Sequence, residues 1–349
     1  MAVDFKIGFI GVGGMAHNHM YAINALRSYY AVVPTIEVLA VASTTAINRE
    51  NFAKRYNIPL ALTAAEIFAN KDINTLFIQS PNDLHGEHLQ QALHCKHIKN
   101  IYIEKPLTVK NKDFTSLKAL ANKKVNLQVG FQFLQMPAIR WAYQHKDLLG
   151  KPIHFNARYL HSSYLNKAYR DKRRNRLVAA PNGGAMVDLG AHALSLLVAF
   201  LGDKLTVEAV HSSGEFSDVT TNSDLYSAMF LRDAVSAAVG TVSASRISYG
   251  TTDVLELELR GEQGALLFSS LQPDNITIYQ NGALQQEVRF CGNQYSETVF
   301  PSKYCPSGWL RALVHALYLF FVETDNSLKP SLTHGLAVQR LLNEFSAKI

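Results

Sequence analysis

An aspartate and a histidine stand four residues apart in one stretch of this sequence, and together they could move a proton. The stretch from Gly183 to His192 predicts a glycine turn followed by a helix that runs to Gly202. On an α-helix, residues four apart share a face with Cβ atoms about 5–6 Å apart, so Asp188 and His192 form a candidate pair. The apolar residues around them indicate burial, and a buried carboxylate beside an imidazole suits general acid–base catalysis. A structural Asp–His hydrogen bond inside a core helix is the alternative.

A glycine-rich turn near the start of the sequence offers a site for phosphate. Residues 11–16, Gly-Val-Gly-Gly-Met-Ala, follow a short apolar strand pattern and precede a helical pattern, which is the context of the G-x-G-x-x-G/A dinucleotide fingerprint. Gly11 permits the turn, Gly13 lets a pyrophosphate approach the backbone, and Ala16 lets helix and strand pack closely. The helix N-terminus supplies free N–H groups for phosphate. We therefore predict a dinucleotide held by Gly11, Gly13, Gly14 and Met15, with an ordinary βα turn as the alternative.

The end of the second predicted strand bears on the choice of cofactor. Residues 36–42 form this strand, and an NAD-specific domain usually has an acidic residue at its end to bind the ribose 2′-hydroxyl. Ser43 and Thr44 stand there instead, and Arg49 follows on the next predicted helix. Their hydroxyls and guanidinium would suit a 2′-phosphate, so the sequence favours NADP over NAD. The alternative is that Arg49 merely faces solvent.

Two further strand ends carry polar residues. A predicted strand at 75–79 leads into a loop at 80–85, and one at 101–103 leads into Glu104-Lys105-Pro106. Such loops face the cofactor in doubly wound sheets. A lysine beside a nicotinamide can polarise the reacting oxygen, so Lys105 is a candidate catalytic residue, although a lone strand-end lysine is usually a solvated charge. From these loops we expect cofactor contacts from Pro81, Asn82, His85 and Glu104.

Histidine pairs at helical spacing raise the question of a metal site. His85 and His88 stand three residues apart, and so do His94 and His97. In the sequence no carboxylate or cysteine cluster completes a coordination shell around either pair, so we predict no metal. The other histidines of this half are interpreted as surface or packing residues, namely His17, His19, His88, His94 and His97.

The pattern of strands and helices predicts an α/β protein with two domains. Over residues 1–126 strands alternate with helices, which indicates a Rossmann-type, doubly wound parallel sheet that binds NAD(P). In residues 127–349 the predicted strands alternate apolar and polar residues, and few long helices interrupt them. This pattern predicts a C-terminal α/β domain with a large, mostly antiparallel, open sheet. One face of that sheet would be covered by the Asp188 helix and by C-terminal helices at 309–323 and 335–346. The other face is a candidate oligomer surface.

A basic segment precedes the glycine turn of the Asp188 helix. Residues 167–176 carry six basic residues and one acidic residue. A solvated loop is the default interpretation, and a clamp for an anionic substrate, such as a sugar phosphate, sugar acid or nucleotide sugar, is the functional one. Without interleaved aromatic residues or a known module, nucleic-acid binding is not expected. Candidate substrate contacts around this segment are Arg158, Tyr169 and Arg170.

Composition excludes several classes of protein. The 349 residues are 48% hydrophobic and 18% charged, as in ordinary globular proteins. The formal charge of +6 comes largely from the basic segment. Three cysteines without paired spacing predict no disulfide framework. The N-terminus has no export pattern, and the apolar runs are shorter than the roughly 20 residues that span a bilayer. We therefore expect a soluble, cytoplasmic protein without membrane partners.

The ordered set of motifs resembles that of the Gfo/Idh/MocA oxidoreductase family, which includes glucose–fructose oxidoreductase and inositol dehydrogenase. The resemblance spans roughly residues 5–345. It implies a Rossmann domain, a C-terminal domain whose sheet forms dimers or tetramers, and hydride transfer between NAD or NADP and a sugar or cyclitol. The motifs are residues 11–16, 80–82 with His85, 104–106, and Gly183-Gly184 with Asp188-x-Gly190-x-His192.

The resemblance also implies roles for individual residues. Lys105 matches the lysine of the family's E-K-P motif, which lies near the reacting hydroxyl. Asp188 and His192 match the D-x-x-x-H pair, in which the histidine is the proposed general base and the aspartate orients it or contacts substrate. Histidine suits this task because its ordinary pKa lies near neutral pH. Two positions depart from the family pattern: Ser195, where many members have Asp, and Ser43, where many have an acidic residue.

These observations lead to a functional hypothesis. We expect an NAD(P)-dependent dehydrogenase or reductase that acts on a CH–OH group or the corresponding carbonyl of a sugar, cyclitol or sugar derivative. It would work as a homodimer or homotetramer through the C-terminal sheet. The alternative is a non-catalytic, dinucleotide-binding redox sensor or regulator, and the presence of Lys105, Asp188 and His192 together argues against it.

Overall fold

The computed structural model describes eight parts of the chain, namely residues 4–173, 177, 184–216, 219–280, 286–295, 298–300, 306–322 and 328–349. The chain divides into two compact units. The first comprises Met1–Gln132 and Tyr295–Leu336, and the second comprises Phe133–Gln294 and Ala337–Ile349. A functional boundary between residues 126 and 127 stays a prediction.

Strands and helices follow one another along the chain as in an α/β protein. The strands are β1 Phe5–Ile10, β2 Ile36–Ala42, β3 Leu60–Leu62, β4 Thr75–Ile78, β5 Asn100–Ile103, β6 Asn126–Val129, β7 Pro152–His161, β8 Leu205–Ser213, β9 Glu215–Phe216, β10 Val219–Thr220, β11 Tyr226–Asp233, β12 Val239–Ser245, β13 Thr252–Gly261, β14 Gly264–Ser269, β15 Asn275–Gln280 and β16 Gln286–Phe290. The α-helices are α1 Gly14–Tyr29, α2 Ala46–Tyr56, α3 Ala64–Ala69, α4 Asn82–His94, α5 Asn111–Ala119, α6 Pro137–Gln144, α7 Lys167–Lys172, α8 Ala191–Leu201, α9 Trp309–Val322 and α10 Leu332–Ser346.

The first unit is a doubly wound parallel sheet, as predicted. Its six strands lie in the order β3-β2-β1-β4-β5-β6, and every neighbouring pair is parallel. Stacked rings of Phe9, Phe77 and Tyr102 run across the three central strands, with centroids 5.2 and 5.1 Å apart. Phe320 of α9 packs edge-on against this stack, so α9 belongs to this core. The expectation that the helix at 309–323 covers the second sheet was wrong, and Glu323 lies outside the described residues.

The second unit contains a large, mostly antiparallel sheet, again as predicted. Its eight strands lie in the order β16-β15-β14-β13-β7-β12-β11-β8, and only β7 and β12 run parallel. Helix α8 packs against the central strands β7, β12 and β13. The later part of α10 contacts β8, because Glu344 accepts a hydrogen bond from the Val207 backbone and Arg340 donates to the Leu205 carbonyl. The other face carries exposed apolar side chains, namely Tyr226 and Phe230 of β11 and Val239 of β12.

Some local predictions fail where side chains form specific contacts. The sequence pattern at 234–242 predicts a strand, but β12 begins only at Val239, because the buried Asp233 carboxylate accepts backbone hydrogen bonds from Val235 and Ser236 and so makes a turn. Helix α4 begins at Asn82, inside the segment predicted as a loop. The sequence pattern also predicts a strand at 127–133, whereas β6 ends at Val129. The basic segment contains the short helix α7, while residues 174–176 lie outside the described parts. No helix in the described ranges is long and apolar enough to cross a membrane.

Folding stability should depend on the protonation of His334. Its ring packs edge-on against Phe131, with centroids 5.7 Å apart, and burial lowers its pKa from 6.5 to about 4. Unfolding restores the higher pKa, so the unfolded state binds the extra proton between pH 4 and 6.5, and stability falls as the pH drops through this window. In urea denaturation at a series of pH values, His334→Gln should flatten this slope by about one proton. The exposed His211→Gln should keep the wild-type slope, and an unchanged slope in His334→Gln would contradict the prediction.

Candidate active site

The glycine turn in the first unit leaves an open place for phosphate. Gly11 has a φ of +113°, and a Cβ there would lie 2.8 Å from the Ser80 nitrogen, so the ends of β1 and β4 approach closely only because this residue is glycine. A Cβ at Gly13 or Gly14 would meet nothing within 4 Å. Gly13 caps α1 without a side-chain hydrogen bond, and the first turn of α1 has no acidic residue. The N–H groups at this helix end are therefore accessible to an anion, as a dinucleotide pyrophosphate requires.

Arg49 lies at the end of β2 rather than pointing only into solvent. Its guanidinium Nη1 donates to the Ser43 carbonyl oxygen at 3.3 Å, which folds the side chain from α2 back over the strand end. Among the described residues its buried Nε has no hydrogen-bond partner. Thr44 beside it is exposed. This corner therefore offers a cation and two hydroxyls at the position where a Rossmann domain binds the adenosine ribose.

His85 joins the two loops at the ends of β4 and β5. Its ring is 1% exposed, and its nitrogens lie 2.7 Å from the Ser80 and Pro106 carbonyl oxygens. A neutral imidazole donates to one of these carbonyls at a time, and burial lowers the pKa of His85. The inward position does not support a direct contact with a cofactor, which was expected from sequence. His85 instead positions the loop that carries Pro81 and Asn82.

Glu104 also points inward and pairs with a histidine that the sequence left as a packing residue. Its carboxylate Oε1 lies 2.9 Å from Nε2 of His19 on α1, and both side chains are buried. A Cβ at Gly130 would lie 2.8 Å from the other carboxylate oxygen, so that glycine makes room for it. The expected contact of the Glu104 side chain with a nicotinamide is not supported, because the carboxylate is occupied in the interior. Lys105 follows, partly exposed, with a cis peptide bond to Pro106.

In the second unit, Asp224 caps the start of the predicted Asp188 helix. The Asp224 carboxylate accepts a hydrogen bond from the Met186 N–H at 2.8 Å, and the Asp224 carbonyl accepts from Ala185 at 2.9 Å. Gly184 has a φ of +99°, and a Cβ there would collide with the Asp224 carboxylate. The predicted glycine turn is therefore needed for a close approach at Gly184, and Gly183 lies outside the described residues.

The helix differs from the predicted one at the aspartate. Residues Met186–Gly190 form a π-helical turn, and the α-helix begins only at Ala191. The expected α-helical spacing of Asp188 and His192 was therefore wrong, because a π turn places residues differently around the axis. Gly190 leaves room for the Met186 side chain in this turn, since a Cβ there would collide with the Met186 sulfur. π turns inside helices occur frequently at functional sites.

An arginine that sequence analysis missed holds the aspartate. Arg246 follows β12, is 1% exposed, and its Nη2 donates to the Asp188 carboxylate at 3.0 Å. Its guanidinium also lies over the Tyr164 ring, 4.7 Å from the centroid. Arg246 and Asp188 are 58 positions apart, and no local pattern in the sequence connects them.

His192 lies in an aromatic environment. It is 6% exposed, and its ring packs edge-on against Phe133, with centroids 4.9 Å apart, and near Tyr159 at 5.8 Å. Burial and then the nearby Asp253 carboxylate raise the pKa of Tyr159, so its hydroxyl keeps its proton. That hydroxyl donates to Asp253 at 3.2 Å.

A polar cavity of about 260 Å³ lies beside Asp188 in the second unit. Of the three predicted substrate residues, Tyr169 lines it. Arg170 turns away, because its guanidinium is buried and donates to the Tyr164 and Leu165 carbonyls. Arg158 pairs with Glu256 on the opposite face of β7 from Tyr159, so it is not at the cavity either. The lining residues are His161, Tyr164, Tyr169, Arg173, Asp188, Leu189, Arg246 and Asp253.

Within the described residues, no group of three or more His, Cys, Asp or Glu side chains has a geometry suited to a metal ion. The histidines of the first unit instead form hydrogen bonds with the protein, for example His88 with the Ser80 hydroxyl at 3.0 Å. His17 similarly lies 2.7 Å from the Tyr56 hydroxyl.

Comparison with known families identifies the chain. A model described as an oxidoreductase family with an NAD-binding Rossmann fold matches residues 5–131, and the model of the Gfo/Idh/MocA C-terminal domain matches residues 144–267. The chain belongs to the Gfo/Idh/MocA oxidoreductase family. The predicted resemblance is thereby confirmed.

Individual relatives are distant but cover much of the chain. Levoglucosan dehydrogenase of Pseudarthrobacter phenanthrenivorans is 23% identical over 96% of this chain and 93% of its own. Glucose-6-phosphate 3-dehydrogenase of Bacillus subtilis is 25% identical over 59% of this chain and 57% of its own. A solved levoglucosan dehydrogenase in complex with NADH and levoglucosan superposes with a TM-score of 0.85 at 20% identity, covering 99% of this chain and 96% of that one. At this identity, the superposition establishes the shared fold.

Substitutions of two glycines in the turn should affect folding stability and cofactor binding differently. Gly11→Ala should destabilise the protein by about 1–3 kcal/mol, because it places a side chain at φ +113° against the β4 backbone. Gly13→Ala should cost no more than about 1 kcal/mol, since its φ is −74° and its Cβ meets open space. It should nevertheless weaken NAD(P)H binding by at least about tenfold, because the methyl group fills the space of the pyrophosphate. Urea denaturation and fluorescence titration measure the two effects, and normal cofactor binding by Gly13→Ala would contradict the assignment.

Proposed function

We propose that this protein is an NAD(P)-dependent dehydrogenase or reductase that interconverts a secondary alcohol and the corresponding carbonyl of a sugar, cyclitol or sugar derivative. The observation that carries the proposal is the polar cavity beside Asp188, which approaches the lower size limit of ligand pockets, about 300 Å³. The names of two relatives, levoglucosan dehydrogenase and glucose-6-phosphate 3-dehydrogenase, support a sugar-like substrate. A non-catalytic sensor would need no such cavity.

The first unit would hold the cofactor. Gly11, Gly13, Gly14 and Met15 would bind the pyrophosphate at the α1 N-terminus, and the loop with Pro81 and Asn82 would lie along the nicotinamide half. Ser43, Thr44 and Arg49 would bind the adenosine ribose, and the Arg49 guanidinium favours a 2′-phosphate there, hence NADP. When bound, the nicotinamide ring supplies the hydride acceptor or donor.

Two residues would handle the charge on the reacting oxygen. His192 would take the proton of the substrate hydroxyl in the oxidation direction and return it in the reduction direction. The ammonium group of Lys105 would stabilise negative charge that develops on the same oxygen. The buried aromatic surroundings of His192 exclude bulk water from the imidazole, which strengthens electrostatic interactions there.

Asp188 would orient His192 or bind substrate, and Arg246 would fix Asp188. The Arg246 guanidinium lies 3.0 Å from the Asp188 carboxylate and places a positive charge beside it at the cavity wall. Since Asp188 is on the π turn directly before α8, this ion pair also fixes the backbone that leads to His192.

We further propose that the protein is a homo-oligomer through the open face of its eight-stranded sheet. The exposed apolar side chains there, Tyr226, Phe230 and Val239, are 37–54% exposed. An apolar sheet face in water favours association.

Removal of either proposed catalytic side chain should reduce turnover but preserve cofactor binding. His192→Ala and Lys105→Ala should each lower kcat by about 10²-fold or more, the usual size of acid–base assistance. Their Kd for NAD(P)H should stay within about twofold of wild type. Steady-state kinetics with a sugar panel and fluorescence titration provide both values.

Matched substitutions of the same residue types control for nonspecific effects. His94→Ala on α4 and Lys118→Ala on α5 change exposed side chains and should leave kcat unchanged. Wild-type turnover in His192→Ala or in Lys105→Ala would remove that residue from the mechanism.

The proposed preference for NADP rests on Arg49 and can be tested separately. Arg49→Ala should weaken NADPH binding by about tenfold or more, since a hydrogen bond to a charged group contributes about 1.5–3 kcal/mol. NADH binding should change by less than about twofold. Arg55→Ala, on the same helix, is the control. Equal losses for NADH and NADPH, or no loss, would contradict this preference.

A further inference from the structure

The strand β13 carries a bulge at the wall of the polar cavity. Its pairing with β7 joins Thr252 to His161 and Val254 to Leu160, so Asp253 is an extra residue with no partner in the ladder. Asp253 also has a φ of +74°, in the left-handed region. Non-glycine residues adopt this region uncommonly, and aspartate is among those that tolerate it.

The bulge turns the Asp253 carboxylate toward the cavity. β-bulges re-aim single side chains and are frequent beside active sites. Asp253 lines the cavity together with Asp188, and its side chain stays 55% exposed. The carboxylate is therefore both fixed by the backbone and accessible to a ligand.

Two side chains of β7 lie beside this carboxylate, and one of them forms a hydrogen bond with it. Tyr159 donates to Asp253 Oδ1 at 3.2 Å, and His161 Nε2 lies 3.7 Å from the same oxygen. Tyr159 and His161 are two residues apart on β7 and so share a face. Because the Tyr159 ring also packs near His192, with centroids 5.8 Å apart, the position of Asp253 is tied to that of the proposed base.

His161 lies beside the carboxylate but forms its hydrogen bonds with Ser163. Its Nδ1 accepts a hydrogen bond from the Ser163 N–H at 3.2 Å, so in the neutral ring the proton is on Nε2, which lies 3.0 Å from the Ser163 hydroxyl oxygen. Burial lowers the pKa of His161, and Arg246 also lowers it, whereas Asp253 and Asp188 raise it. Because the neutral His161 ring carries no positive charge, it does not offset the negative charge of Asp253.

Among the described residues, the charges that line the cavity balance, so its lining has no formal net charge that would favour an anion. Two carboxylates, Asp188 and Asp253, face two guanidiniums. Arg246 is paired with Asp188, and the exposed Arg173 lies over the Tyr169 ring, 5.9 Å from the centroid. Arg170, expected as an anion clamp, donates to backbone carbonyls instead. A phosphate or carboxylate placed near Asp253 would meet a negative charge, whereas hydroxyl groups can donate to it.

We propose that Asp253 is a specificity-determining residue that accepts hydrogen bonds from hydroxyl groups of an uncharged polyol and disfavours phosphorylated or acidic analogues. This inference rests on the proposed function. It narrows the substrate class from sugar derivatives in general, including the anionic ones expected from the basic segment, to neutral sugars or cyclitols.

Paired neutral and anionic ligands test the inference. D-glucose and myo-inositol would be compared with their monophosphates, by calorimetric titration in the presence of NAD(P) and by kcat/KM. Wild type should prefer the neutral member of each pair. Asp253→Asn, which keeps the shape and tolerates the left-handed backbone, should lower kcat/KM for the neutral polyol about tenfold and reduce the discrimination against the phosphate by a similar factor.

Two further variants keep the test decisive. Glu256→Gln, on the same strand, removes an equal charge from the opposite face and should leave both ligand classes unchanged. Asp253→Ser also removes the negative charge. If Asp253→Asn does not fold, ligand binding is measured with Asp253→Ser instead. An unchanged ratio in a folded Asp253 variant, a wild-type preference for the phosphate, or the absence of binding by either class overturns the inference. Polyol binding that depends on Asp253 without any hydride transfer would instead refute the proposed function alone.

Discussion

A buried guanidinium is the constraint on which the second unit depends. Arg246 is 1% exposed, and a charge removed from water requires a partner. Asp188 supplies it, and the aspartate reaches Arg246 from a π turn rather than from a regular α-helix. The same turn leads directly into α8, so the ion pair sets where that helix begins and where His192 emerges. Removal of Arg246 would leave Asp188 without this ion pair.

The first unit also contains buried polar side chains that are paired with each other or with the backbone, next to Lys105. Glu104 and His19 are buried together, 2.9 Å apart, and His85 connects the neighbouring loops through two carbonyl oxygens. None of these side chains faces the open space in front of the glycine turn. Their polar groups fix the backbone next to Lys105, which is partly exposed, and the turn at Gly13 is exposed as well. In both units, then, buried polar pairs position a smaller set of accessible residues.

Local patterns predicted much of this arrangement, and long-range contacts explain most of the errors. The glycine turn and β2 follow from short stretches of sequence, because a tight turn and a buried strand have local signatures. The Arg246–Asp188 pair joins residues 58 positions apart, and the bulge at Asp253 depends on how β13 pairs with β7. Arg170 belongs to a basic segment that suits an anion clamp, yet its guanidinium points to the Tyr164 and Leu165 carbonyls, to which it donates hydrogen bonds. The sequence therefore gives the charge of a side chain, whereas its orientation depends on packing and hydrogen bonds in the folded structure.

The central claim is that this chain transfers a hydride between an alcohol carbon and a nicotinamide cofactor. The most direct test mixes the protein with oxidised NADP or NAD and neutral sugars and cyclitols that carry deuterium on their carbinol carbons. Mass spectrometry of the recovered cofactor then follows the label. The account predicts reduced cofactor that has gained one deuterium from the polyol, together with the matching ketone or lactone. Cofactor that stays oxidised across the panel, or that becomes reduced without deuterium, would contradict it.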